Sequence, residues 1–172
     1  MSCDIHWFNA SSMPTRLASS ATNNRPRRVG AKLELTLQIA ASATGLPSTE
    51  RFRRWTRASL LENADVTLRL VDRVEGRALN CAYRRRDYAT NVLTFAYPEQ
   101  QPLAGDIVLC LPVIKEEARR QGKTLEAHLA HLTVHGVLHL QGFDHETEED
   151  AELMEGIETE IVSRLGYADP YA

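Results

Sequence analysis

The stretch His135-Gly136-Val137-Leu138-His139-Leu140-Gln141-Gly142-Phe143-Asp144-His145 sets both the central helix of the fold and the chemistry expected of it. Two histidines four apart on a helix share one face, with Cβ atoms roughly 5 to 6 Å apart. A tetrahedral ion with Zn–N bonds near ~2.0 to 2.1 Å needs their nitrogens only about 3.3 Å from one another, which converging imidazoles can reach. Gly142 lies three residues beyond His139, where a left-handed backbone would end the helix and turn the chain. His145 can then swing back as a third ligand. With 6 histidines and 9 glycines in 172 residues, independent placement would give H-x(3)-H-x(2)-G-x(2)-H on the order of once in a few thousand chains. The three histidines are therefore read as a metal site rather than as isolated surface or core residues.

Three neutral imidazoles without a fourth protein ligand describe an open, catalytic site, because a structural zinc site is closed by four ligands, usually with cysteines among them. An open position admits a water whose pKa the ion can bring towards ~7. One Zn2+ per chain is the expected cofactor, and another divalent ion such as Ni2+ is compatible with the same donors. His128 and His131 precede the motif on roughly the same side of the helix. Two more ligands would fill the open position, so they are assigned to a shell behind the ligands or to solvent. Asp144 could orient a ligand imidazole, and is equally at home as a turn residue.

Around this motif the pattern predicts a helix from Leu125 to about Gln141, capped by Thr124, and a short helix from Pro112 to Arg120 stopped by Gly122. A last helix from about Glu146 to Leu165 carries a run of acids from Glu146 to Glu160, Glu158 among them. The run is expected to be a solvated face over a buried stripe of Leu153, Ile157 and Ile161. Towards the N-terminus, Leu33, Leu35, Leu37 and Ile39 alternate with polar residues, as do Val66, Leu68 and Leu70, the period of a half-buried strand. Asn91 to Ala96 and Asp106 to Leu111 are the third and fourth strands, the last apolar enough to lie inside a sheet. Helices are expected from Ser48 or Thr49 down to Asn63, with Phe52, Trp55, Leu60 and Leu61 on one face, and briefly around Ala78 to Ala82. The fold class is α/β (α+β): a small mixed sheet of about four strands surrounded by helices, with the histidine motif on a central helix.

One domain, residues 32–172, accounts for all of this, since a core of that size is self-sufficient. Residues 1–31 have no hydrophobic period and end in Asn23-Asn24-Arg25-Pro26-Arg27-Arg28. They are read as a disordered basic extension with Met13 as an alternative start, although an organellar transit peptide or an RNA-touching tail has similar composition. The net charge of −3 argues against coating nucleic acid by bulk charge, so any RNA contact must be local. Cys3, Cys81 and Cys110 are odd in number and far apart, giving neither a disulfide framework nor a Cys-rich zinc site, and a reducing cytoplasm fits best. No apolar stretch approaches the ~18 to 20 residues of a membrane helix.

The spacing from His135 to His145 equals that of metzincin proteases, H-E-x-x-H-x-x-G-x-x-H, but Gly136 stands where those enzymes carry their general base. Tyr83-Arg84-Arg85-Arg86-Asp87 offers instead a compact basic cluster before the third strand. Guanidinium groups bind phosphate through paired hydrogen bonds and stabilise charge on a phosphoryl centre, so an ion plus an arginine makes a phosphodiesterase set. A metalloprotease relying on another carboxylate, and a non-catalytic assembly factor whose metal only holds the fold, are the rival readings.

The segment H-G-x-L-H-L-x-G-x-D-H, taken with Leu79-Asn80, Tyr83-Arg84-x-x-Asp87, Thr90-Asn91-Val92-Leu93 and Gly105-Asp106-Ile107, closely resembles the bacterial YbeY endoribonuclease family from about Lys32 to Tyr171. The resemblance implies a zinc-dependent, single-strand-specific endoribonuclease acting in 16S rRNA 3′-end maturation and 70S ribosome quality control. It implies that His135, His139 and His145 are the metal ligands, that Arg84 is the catalytic arginine, and that Arg84, Arg85 and Arg86 meet RNA. The partners it implies are the small ribosomal subunit, one of its platform proteins and a ribosome-assembly GTPase. Thr94 stands where the family commonly has serine, a swap that keeps the hydroxyl, and residues 1–31 have no family counterpart.

Overall fold

A computed structural model describes residues 31–42 and 44–172. The extension read over residues 1–31, with its alternative start, lies outside the described residues apart from Ala31. The expected architecture is present. Strands β1 (Leu33–Ile39), β2 (Ala64–Val71), β3 (Val92–Ala96) and β4 (Leu103–Cys110) form one mixed sheet in the order β1-β2-β4-β3. β1, β2 and β4 run parallel and β3 runs antiparallel to β4.

β4 lies inside the sheet and is buried on both faces, which explains its unbroken apolar run. Ile107 and Leu109 join one core cluster with Phe52, Trp55, Leu129 and Val137, while Val108 and Cys110 join another with Leu93 and Leu79. β1 is an edge strand, buried at Leu33 and exposed at Glu34 and Thr36, hence its alternation.

The helices are α1 (Thr49–Ser59), α2 (Arg73–Arg84), α3 (Leu111–Arg120), α4 (Leu125–Leu140) and α5 (Glu148–Arg164). α4 begins where Thr124 accepts a hydrogen bond from the Ala127 amide at 3.1 Å. It is the central helix, with Leu129, Leu132, Val137 and Leu140 against the sheet and α1, and Val134 and Leu138 against α5. Among the described residues, no helix is long and apolar enough to cross a membrane.

Several elements differ from the sequence reading. α1 stops at Ser59, so Leu60 is buried just beyond the helix whereas Leu61 is exposed. α2 is a full twelve residues, because the Asp72 side chain caps it at the Glu75 amide. β4 begins at Leu103, and Leu111, expected in the strand, opens α3 beside Pro112. In α5 the buried residues are Met154, Glu158, Ile161 and Val162, while Leu153 is 58% exposed. The inward face is thus rotated from the expected stripe, and it carries one of the acids.

Candidate functional site

α4 delivers the first two histidines to one place and its end delivers the third. Gly142 has φ +86°, a left-handed backbone that glycine adopts without strain, and the Phe143 amide donates to the Leu138 carbonyl at 3.1 Å to close the helix. The chain then turns back, fixed by the His145 amide donating to Asp144 Oδ1 at 2.8 Å. One ligand atom from each of His135, His139 and His145 lies within 4.8 Å of the others, a group that could hold a metal ion.

The hydrogen bonds select the tautomers. The Phe143 carbonyl can only accept, so the contact from His139 Nδ1 at 2.9 Å places that ring's proton on Nδ1. Glu158 Oε1 likewise takes the Nδ1 proton of His135 at 2.8 Å. A neutral imidazole with its proton on Nδ1 has its lone pair on Nε2, and the two Nε2 atoms face each other at 3.1 Å. Two lone pairs at that separation repel unless a cation sits between them, and tetrahedral coordination asks for nearly the same spacing, about 3.3 Å. Burial, reinforced by the neighbouring His135 and His145, lowers the pKa of His139 and keeps it in the neutral form that coordination requires. The donor set therefore fits a divalent ion with an affinity for imidazole.

Behind the histidines stands Glu158, fully buried on α5. Besides His135, its carboxylate accepts from His131 Nε2 at 2.7 Å and from the Tyr171 hydroxyl. Burial alone would raise its pKa, but the hydrogen bonds from His131, His135 and Tyr171 outweigh it and bring the group down to about 2. Burial and the same carboxylate push the Tyr171 hydroxyl up. Glu158 therefore belongs to no solvated face: it is the carboxylate behind His135 that fixes the tautomer and direction of that ring. His131 shares it, whereas His128 is buried and donates from Nε2 to Glu117 at 2.9 Å, a partner that none of the three motif histidines shares. Asp144 holds its turn through the His145 backbone amide rather than by orienting an imidazole.

Arg84 ends α2 and reaches the wall of a cleft of about 860 Å³ whose lining includes all three motif histidines, Arg85, Arg86, Asp144 and Glu146. The left-handed residue Arg85 (φ 57°) turns the chain there. Arg77 grips Asp87 through two hydrogen bonds of 2.7 and 2.8 Å, and this partner lowers the Asp87 pKa.

Gly136 faces the sheet. A Cβ built on it would lie 2.8 Å from Cγ2 of Ile107 on β4, so helix and strand meet at a distance that no side chain allows. The metzincin glutamate has no room at this position.

A family model described as Endoribonuclease YbeY matches residues 46–166. The chain belongs to the YbeY endoribonuclease family. A YbeY endoribonuclease of Nitrosomonas europaea is 56% identical over 140 residues, spanning 81% of this chain and 85% of the relative. Another, from Aromatoleum aromaticum, is 56% identical over 144 residues, spanning 82% and 94%. A Thermotoga maritima protein solved in solution aligns over 80% of this chain and 99% of its own, at 26% identity and a TM-score of 0.49.

Proposed function

We propose that this YbeY-family chain is a zinc-dependent, single-strand-specific endoribonuclease acting in 16S rRNA 3′-end maturation and 70S ribosome quality control, with residues 32–172 as its one catalytic domain. The observation that carries the reading is that Arg84 lines the same cleft as three histidines, each of which brings a ring nitrogen within 4.8 Å of the others. His135, His139 and His145 would hold the ion, one per chain, and Ni2+ suits the same donors. When bound, it supplies Lewis acidity at the phosphodiester.

The protein's own groups do the remaining work. Glu158 and the Phe143 carbonyl keep the Nδ1 protons on His135 and His139, so both rings stay aimed and able to donate a lone pair. Arg84 donates to the non-bridging oxygens and stabilises the charge that grows on them in the transition state. Arg85 and Arg86 hold neighbouring phosphates. The proton leaving the attacking oxygen has Asp144 and Glu146 as carboxylate acceptors in the cleft wall. The same reading calls for the small ribosomal subunit, one of its platform proteins and a ribosome-assembly GTPase as partners, in the cytoplasm.

The test is metal analysis of the purified chain beside cleavage of single-stranded and duplex RNA, with and without chelator, in wild type and His139→Ala. One tightly held divalent ion, chelator-sensitive cleavage of the single strand, and loss of both in the variant are expected. Full metal content in His139→Ala, or equal cleavage of single strand and duplex, would remove the reading.

A further inference from the structure

Two tyrosines on the cleft wall have no part in the chemistry described so far. Tyr83 and Tyr88 are 63% and 58% exposed, and both line the cavity that holds Arg84 and the histidines. Leaving two aromatic rings in water forgoes the gain that burial brings.

Their setting is nevertheless rigid. Tyr83, in the last turn of α2, meets Phe95 edge-on, with centroids 4.8 Å apart and planes at 65°. Tyr88 follows the left-handed turn at Arg85, and its carbonyl accepts from Asn80 Nδ2 at 2.7 Å. Asn80 is buried, and its own carbonyl accepts from the Arg86 amide at 3.3 Å. With its Asp87 held by Arg77, the segment from Tyr83 to Tyr88 is a braced end to α2 and the turn that follows. It presents ring, guanidinium groups and ring in sequence.

We propose that Tyr83 and Tyr88 form a nucleobase-stacking subsite that receives unstacked bases beside the phosphate held by Arg84. This rests on the endoribonuclease reading of the cleft. A single strand alternates base and phosphate, and this segment alternates the groups that bind each. Any base can use a ring face, so stacking tolerates sequence, and the Tyr83 ring, already set against Phe95, loses little entropy on binding. In a duplex each base is already covered by its neighbours, and in RNA its edges lie in grooves that side chains read poorly. Arginine binds the phosphates of either form. The rings are therefore what lets the cleft favour a single strand.

The test compares binding of the full chain to a short unstructured 2′-O-methyl oligoribonucleotide and to an abasic strand with the same number of phosphates, read by fluorescence anisotropy. Wild type should bind the base-bearing strand at least about tenfold more tightly. Tyr83→Leu, which keeps apolar bulk at the Phe95 contact, and Tyr88→Leu should each weaken that strand by about tenfold, or about 1.4 kcal/mol. Binding to the abasic strand should not change, and Tyr→Trp at either position should retain affinity. Equal wild-type affinity for the two strands, with Arg84→Ala weakening both, would overturn the stacking subsite and leave the nuclease reading standing. Failure to bind either strand would remove both. The wild-type comparison decides the matter even if the leucine variants fold poorly.

Discussion

Glu158→Gln asks whether the carboxylate behind the histidines sets their affinity for metal. In the wild type Oε1 takes the His135 Nδ1 proton at 2.8 Å, and Oε2 takes His131 Nε2 at 2.7 Å together with the Tyr171 hydroxyl. Glutamine keeps the shape but has one acceptor oxygen and no charge. If that oxygen faces His135, the ring keeps its tautomer, but Nε2 loses the negative partner that strengthens it as a donor. If the amide nitrogen faces His135 instead, the ring proton must move to Nε2 and the ligand is lost. Both routes weaken coordination, and partners of this kind are typically worth about 10- to 100-fold in metal affinity, or about 1.4 to 2.7 kcal/mol. The assay is competition for Zn2+ against a chromophoric chelator near neutral pH, with thermal unfolding in parallel to separate lost affinity from lost fold. An affinity within about threefold of wild type in a folded variant would refute the reasoning and leave Glu158 as a buried partner of His131 and Tyr171 alone.

Arg84→Ala should lower turnover on single-stranded RNA by roughly 10²-fold with metal content unchanged, as expected of a group acting on transition-state charge; near-normal turnover would return Arg84 to the solvated surface. His128 gives a pH signature. Burial lowers its pKa below the usual 6.5, against the opposing pull of Glu117 and with help from His131 and Lys123. The folded chain thus binds that proton less readily than the unfolded chain does. The resulting stability is complete above the unfolded-state pKa near ~6.5 and is lost as pH falls through the lower folded value. His128→Gln should flatten this acid limb in melting curves, and an unchanged difference between near-neutral and acidic melting points would refute the assignment. Gly136→Ala should destabilise by about 1 to 3 kcal/mol in denaturant unfolding, because its Cβ would meet Ile107 at 2.8 Å; a neutral effect would mean that helix and strand can part freely.

Features written in a few adjacent residues were legible in advance. Thr124 caps its helix and Gly142 turns the chain, so the approach of His145 followed from local backbone chemistry. The sheet strands announced themselves by alternation at the β1 edge and by an unbroken apolar run inside at β4. α2 is longer than the short stretch around Ala78 to Ala82, although its signal is local: Asp72 followed three residues later by Glu75 is a capping pattern, and that cap is formed. Glu158 is different. Two stripes compete on the last helix, Leu153–Ile157–Ile161 and Met154–Glu158–Ile161–Val162, and apolarity favours the first. The second is the buried one. A carboxylate becomes tolerable inside only when donors meet it, and those donors are His131 and His135 on α4 and Tyr171 near the chain end. One clue was present, an acid at the inward position of a 4-3-1 spacing, but its meaning depends on a second helix.

Gly136 joins the local and the tertiary levels. In the sequence it was informative by what it lacks, the carboxylate that a protease with this histidine spacing would use. In the fold, the missing side chain is what lets α4 approach β4 until Ile107 touches the helix backbone. The same residue thus lets the histidine helix close onto the sheet and leaves position 136 without a carboxylate. Proton transfer must then be served from elsewhere in the cleft, and the carboxylates of Asp144 and Glu146 lie on its wall with Arg84. On the proposed reading, the close helix–strand contact and the histidines act together, the one excluding a glutamate at position 136 and the other holding the ion.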